Sequence, residues 1–177
     1  LAVHVRAIWA LLAASKSPGA KLTTVEVGGI EALVTAIENF PDSESLSYNA
    51  CCVLWILLND ANRPEDRLRF LQVDGVRVVV DSMKKHRRSL QQQEAGCGAI
   101  MALASGDDAA HAAIKEAGGI DALGAAMVAH PGCGKLHHNV SLALEHMKER
   151  THAEDETTAI KAIIALEEAR RCWPRGS

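Results

Sequence analysis

The chain has 177 residues, of which 48% are apolar but only 3% are aromatic, and its formal net charge is −3 at pH 7. This length is sufficient to bury a core, and a core of Ala, Leu, Ile and Val favours close packing of helices over sheets. The slight negative charge argues against a nucleic acid or an anionic membrane bound by bulk electrostatics, and no stretch approaches the roughly 18 apolar residues of a membrane span.

One pattern recurs three times and predicts three helices per copy: a short first helix, an amphipathic second helix and an apolar third helix. The second helices carry apolar residues at i, i+3, i+4 and i+7, the spacing that buries one face of a helix, as in Ile30, Leu33, Val34 and Ile37. Their openings, 46 and then 44 residues apart, are Gly28-Gly29-Ile30, Asp74-Gly75-Val76 and Gly118-Gly119-Ile120. Repetition at this interval predicts a stacked helical array, in which no unit buries its apolar face alone.

In chain order, glycine and proline mark the ends of the predicted helices. The glycine pair fits a turn with positive φ that ends the short helix before it, and Pro64 fits a first helical position. Breaks in one register, at Pro41, Arg87 and Pro131, separate the second helices from the third. The predicted third helices are Val5–Ala14, Tyr48–Leu57, Glu94–Leu103 and His138–Met147, and the short helices are Thr23–Val27, Glu65–Val73 and Asp108–Glu116.

The Gly-Gly-Ile opening of the second helix, the Ala- and Leu-rich third helix and the period resemble the armadillo repeat family. HEAT repeats, the nearest alternative, have two helices per unit and lack the short first helix that ends at glycine. The resemblance covers about residues 1–150. It implies an all-α α-solenoid, a right-handed superhelix whose third helices line a concave groove that binds other proteins.

Two known kinds of armadillo groove do not match this sequence. In the nuclear-import adaptors of the family, a Trp and an Asn on each third helix hold an extended peptide. Trp9 lies at the matching Trp position, but the other copies carry Cys52, Gly98 and Leu142. The positions that match the Asn hold Ala13, Ile56, Ala102 and His146. The β-catenin type of groove is strongly basic and binds acidic partners, which the charge balance of this chain does not match.

The predicted units are a partial N-terminal repeat (third helix and linker) over 1–22, armadillo-like repeats over 23–60, 61–106 and 107–150, and a C-terminal capping helix and tail over 151–177. No glycine pair recurs near position 163. The continuous amphipathic pattern over 155–172 therefore favours a cap that shields the last apolar face. Because Leu1 begins inside a third helix, we expect the chain to be a fragment of a longer solenoid.

Outward positions of the third helices form the predicted partner-binding groove. We expect a helical or extended segment to dock over Trp55 and Met101, because aromatic and Met anchors among polar groups are typical of binding hot spots. In the alternative interpretation, Trp55 packs between adjacent repeats. The groove residues are Tyr48, Cys52, Trp55, Ile56, Glu94, Met101, His138, Leu142, Glu145 and His146, and Asp60, Gly98 and Ala102 share their outward register.

Three other groups of residues resemble functional sites, but a structural interpretation is favoured for each. Cys133, His137 and His138 have metal-ligand spacing, yet a closed zinc site needs four ligands, so a polar loop and a helix start are favoured. We predict no metal and no cofactor. The adjacent Cys51 and Cys52 fit small apolar packing residues. The basic run over 84–88 fits a solvated turn better than a nucleic-acid or import signal.

The sequence contains no catalytic motif of the common kinds, and we predict a non-enzymatic protein. The leading hypothesis is a protein–protein interaction scaffold whose partner is another protein. The alternative is a permanent structural subunit of a large cytoskeletal or ciliary assembly. Five cysteines without framework spacing suit a reducing compartment, so we expect a cytoplasmic location, with a nuclear or ciliary one left open.

Overall fold

The structure is a computed structural model that describes residues 2–14, 17–60 and 63–149. Within these ranges the chain forms ten helices and no strand, which confirms the all-α prediction. No helix in this part of the chain is long and apolar enough to cross a membrane. The helices are α1 Ala2–Ala14, α2 Pro18–Glu26, α3 Gly29–Asn39, α4 Glu44–Leu58, α5 Pro64–Gln72, α6 Gly75–Lys85, α7 Leu90–Ala104, α8 Asp108–Glu116, α9 Gly119–Ala129 and α10 Gly134–Glu149.

Helices at equivalent positions of successive units contact one another in series. The third helices α1, α4, α7 and α10 pack each against the next, and the second helices α3, α6 and α9 do the same. Within the units, second helices also pack on third helices, as α3 does on α4. One apolar core runs through these contacts. The predicted stripe of α3 belongs to it, since Ile30, Leu33, Val34 and Ile37 are all buried.

The two residues that open each second helix, both glycine in α3 and α9 and Asp74-Gly75 in α6, have separate physical roles. The first residue of the pair has left-handed backbone, with φ of 81° at Gly28, 54° at Asp74 and 73° at Gly118, as the predicted turn requires. The second glycine allows the start of the helix to approach the preceding short helix. An added Cβ atom would lie 2.6 Å from Thr24 Cγ2 at Gly29, 2.8 Å from Phe70 Cζ at Gly75 and 2.7 Å from Ile114 Cγ2 at Gly119.

Several predicted helix boundaries were wrong by a turn or more. The third helices begin at Glu44, Leu90 and Gly134, four residues earlier than predicted. Serine caps explain two of these starts, because the Oγ atoms of Ser43 and Ser89 accept hydrogen bonds from Leu46 N (3.4 Å) and Gln92 N (3.3 Å).

The first short helix begins at Pro18 instead of Thr23, and it crosses the predicted boundary between residues 22 and 23. Pro18 takes a first helical position, as Pro64 does in α5. The predicted C-terminal cap and tail over 151–177 lie outside the described residues.

Candidate functional site

The ten predicted groove residues lie on α4, α7 and α10, and none of them is fully buried. His138 and Glu145 are exposed, and the other eight are half-buried. Two further positions that were expected to point outward, Gly98 and Ala102, are buried, so that expectation was wrong. Asp60 is half-buried. We call the surface formed by Tyr48, Cys52, Trp55, Glu94, Met101 and Lys135 the third-helix face.

Trp55 explains why Gly98 is buried. A Cβ atom added at Gly98 would lie 2.6 Å from Trp55 Cε3 and 2.7 Å from Cε2. The indole of α4 therefore lies directly on the backbone of α7, where the absence of a side chain makes room for it. Trp55 fills a space between two adjacent units, as in the alternative interpretation, and yet it remains half-buried with part of the ring at the surface.

Lys135, at the start of α10, joins this cluster and was missed by the sequence analysis. Its Nζ atom lies 5.4 Å from the centroid of the Trp55 ring and forms an ion pair with Glu94 on α7. A cation over an exposed aromatic face contributes about 0.5–1 kcal/mol. Lys135 lies one turn before His138, so extending the outward register by one turn toward the N-terminus would have found it.

Tyr48 and Cys52 lie one turn apart on α4 and interact with each other. Cys52, partial burial and Glu94 raise the pKa of the Tyr48 hydroxyl. Burial raises the pKa of the Cys52 thiol, although Tyr48 and Lys135 act in the opposite direction. Because a thiol with a raised pKa stays protonated at neutral pH, Cys52 is not an activated nucleophile. The two side chains supply a polar and polarisable contact surface beside Trp55.

Cys133, His137 and His138 lie at positions that have equivalents in the two preceding units. Cys133 occupies the capping position of Ser43 and Ser89, and its carbonyl oxygen accepts a hydrogen bond from His137 N at 3.1 Å. His137 Nε2 lies 3.3 Å from His130 O, the carbonyl equivalent to the one that Gln93 Nε2 contacts at His86. Within the described residues, no three His, Cys, Asp or Glu side chains gather in a way that could hold a metal ion.

The chain was compared with protein-family models, curated proteins and solved structures, and none of them matches it. The function is therefore inferred from the residues of the third-helix face and from how the helices pack.

Proposed function

We propose that this chain is an armadillo-like solenoid that acts as a non-enzymatic scaffold and binds a segment of another protein along the third-helix face. Three features of the packing support the solenoid. Equivalent helices contact each other in series, the three second helices open on a left-handed residue and a close-packed glycine, and the third helices α4 and α7 begin at equivalent serine caps.

The observation that carries the binding function is the half-buried indole of Trp55, held over Gly98 and bordered by the Glu94–Lys135 ion pair. An aromatic ring fixed in place before a partner arrives loses little side-chain entropy on binding. The polar pair beside it limits access of water to the contact, and Met101 adds an adaptable apolar surface on the next helix. These are the properties of an anchor for a protein segment.

Site-specific photo-crosslinking in cells of the source organism tests the proposal. We would replace Met101 with benzoylphenylalanine and identify the protein that becomes attached on irradiation. The matched control is the same replacement at Leu68, an apolar side chain that is 56% exposed on the short helix α5. We expect a discrete adduct from position 101 and none from position 68. The absence of any adduct at position 101 would contradict the proposal.

The same experiment separates a scaffold from a permanent structural subunit. A subunit that is built into an assembly covers large apolar patches, and it would form crosslinks from both positions. In the described part of the chain, the large exposed apolar side chains lie on separate elements, which favours the scaffold; they are Val27, Leu68, Leu90 and Val128.

A further inference from the structure

The one basic run of the sequence covers the last turn of α6 and the turn that follows it, and its cations form different contacts. Lys85 Nζ lies 2.6 Å from Asp42 Oδ1, across the contact with the preceding unit. Arg87 and Arg88 are both exposed. Neither guanidinium forms an ion pair with another of the described residues. The predicted surface turn covers only residues 86–88, since Lys84 and Lys85 end α6, and it leaves two arginines available for an external anion.

Successive second helices meet at two junctions. Each junction contains the same contact between a histidine ring and a backbone carbonyl, which we call the frame. In the first junction, the turn after α3 meets the end of α6, and His86 Nε2 lies 3.0 Å from Pro41 O. In the second junction, the turn after α6 meets the end of α9, and His130 Nε2 lies 3.2 Å from Arg87 O. The two ring-to-carbonyl contacts occupy equivalent positions, so the two junctions can be compared residue by residue.

The second junction lacks an ion pair that the first junction has. The Asp42–Lys85 ion pair closes the first junction. At the equivalent positions of the second junction the chain has Arg88 and Ala129, both exposed. The anionic partner is thus replaced by a cation, and the cationic partner is replaced by a methyl group. The histidine-to-carbonyl contact is kept, but Arg88 and Ala129 form no ion pair with each other across the second junction.

An open cleft occupies the second junction. It has a volume of about 530 Å³ and is lined by Arg87, Arg88, Ala125, Val128, Ala129 and His130. A neighbouring cleft of about 240 Å³ shares Arg87 and Ala125 with it and extends toward Met83. Val128 is 61% exposed at this site. The cleft therefore combines an apolar floor with two arginines on one side.

We propose that the cleft of the second junction binds an acidic segment of another protein. A guanidinium presents parallel N–H donors that match a carboxylate, so acidic side chains would contact Arg87 and Arg88. An apolar side chain next to these acidic residues would contact Val128 and Ala125. The cleft lies along the second helices and not on the third-helix face, so this inference is independent of the proposed function.

The geometry favours this occupant over a nucleic acid. A nucleic acid is held by many phosphate contacts along a basic surface, whereas this chain has a net charge of −3 and the cleft has an apolar floor.

The test is selection from a phage-displayed library of short random peptides on the full chain and on a closed variant. Arg88→Asp together with Ala129→Lys rebuilds the ion pair of the first junction in the second. We expect acidic peptides with an apolar residue to be enriched on the natural chain only. The best peptide should lose about tenfold or more in affinity for the closed variant, measured by fluorescence anisotropy, and binding should weaken as salt is added.

Two further variants make the result specific. Val128→Ser removes the apolar contact and keeps both arginines, so it should weaken the selected peptide by a smaller factor. Leu68→Ser, at an exposed apolar side chain of α5 outside the cleft, should leave the affinity unchanged, which shows that the loss at Val128 belongs to the cleft. Equal affinity for the natural chain and the closed variant would overturn the proposal. Enrichment of peptides without acidic residues, or binding of a single-stranded RNA oligomer in place of the peptides, would overturn it as well.

Discussion

The junction of α3 with α6 and the junction of α6 with α9 are built on equivalent backbone positions but are filled by different side chains. The first junction is closed by Lys85 with Asp42 and by Arg77 with Glu38, whose Nη2 and Oε1 atoms lie 2.8 Å apart. The second junction leaves Arg88 without a described ion-pair partner and exposes Val128. The repeat therefore fixes where two units meet, whereas single side chains decide whether the contact is closed or offers a surface.

The contacts between successive third helices differ in a similar way. Between α4 and α7, Trp55 lies on Gly98. At the equivalent positions of the next pair of helices, Met101 and Leu142 are both half-buried. A large rigid ring over a glycine gives a contact that only these two residues can form, whereas two flexible aliphatic side chains adapt to many neighbours.

The largest effect is expected from truncating the ring of the first junction. Trp55→Ala should lower the free energy of unfolding by about 2 kcal/mol, below the range for a fully buried Trp because this ring is half-buried. Met101→Ala, at the equivalent position of the second junction, should cost about 1 kcal/mol. Urea denaturation of both variants measures the difference. Equal losses would mean that the two positions contribute alike and that the indole has no special packing function.

Alkaline pH should weaken both junctions through two buried thiols at equivalent positions. Burial raises the pKa of Cys51 from its ordinary value of 9.0 to about 12, against a hydrogen bond from Gln92, and burial raises the pKa of Cys97 further. The folded chain thus keeps protons that the unfolded chain loses, so the free energy of unfolding is unaffected at neutral pH and falls as the pH rises from about 9 toward 12.

At about pH 10 each thiol should remove about 1.4 kcal/mol from the free energy of unfolding. Comparing urea denaturation at about pH 8 and about pH 10 measures this loss. Cys51→Ser and Cys97→Ser should each reduce the pH-dependent part by about that amount, because a hydroxyl does not titrate in this range. If both variants keep the full pH dependence of the natural chain, groups other than these thiols cause it.

Gly98→Ala should change the free energy of unfolding less than Trp55→Ala does. It tests the first junction more specifically, because the sign of its effect should depend on the residue at position 55. In the natural chain Gly98→Ala brings a methyl group against the indole and should destabilise the fold. In the Trp55→Ala background the obstruction is gone, and the same change should stabilise α7 by up to about 1 kcal/mol through helix propensity. A double-mutant cycle gives the coupling between the two positions. Additive effects would contradict the packing of Trp55 on Gly98.

The sequence was sufficient to predict features that depend on one helix and its turn. The apolar stripes, the positive φ at Gly28 and Gly118 and the all-α class follow from local periodicity and backbone sterics. The close approach of Gly29 to Thr24 was not predicted, because it depends on how two helices cross. The early start of the third helices could have been found, since Ser43 and Ser89 are N-cap residues in the same register.

Much of the candidate site depends on which side chains of different helices contact each other. A single sequence indicates which face of each helix is apolar, but it does not indicate these contacts. The exposure of Trp55, Met101 and the eight other predicted groove residues was predicted from register alone, and all ten lie at least partly at the surface. Lys135 and the burial of Gly98 were missed, because both follow from contacts between different units. The open second junction was also missed, although a comparison of Asp42 with Arg88 and of Lys85 with Ala129 would have indicated it.

The smallest change in stability is expected from transplanting the second junction into the first. Asp42→Arg, Asp81→Ala, Lys84→Val and Lys85→Ala give the first junction the residues found at the equivalent positions of the second. All four side chains are exposed, and surface ion pairs contribute little to the free energy of unfolding. A selected acidic peptide should then bind at two sites per chain in isothermal titration calorimetry, whereas the natural chain binds one. A stoichiometry that remains at one would mean that the shared frame and these substitutions are insufficient, and that the cleft depends on Arg87, for which the first junction has Pro41.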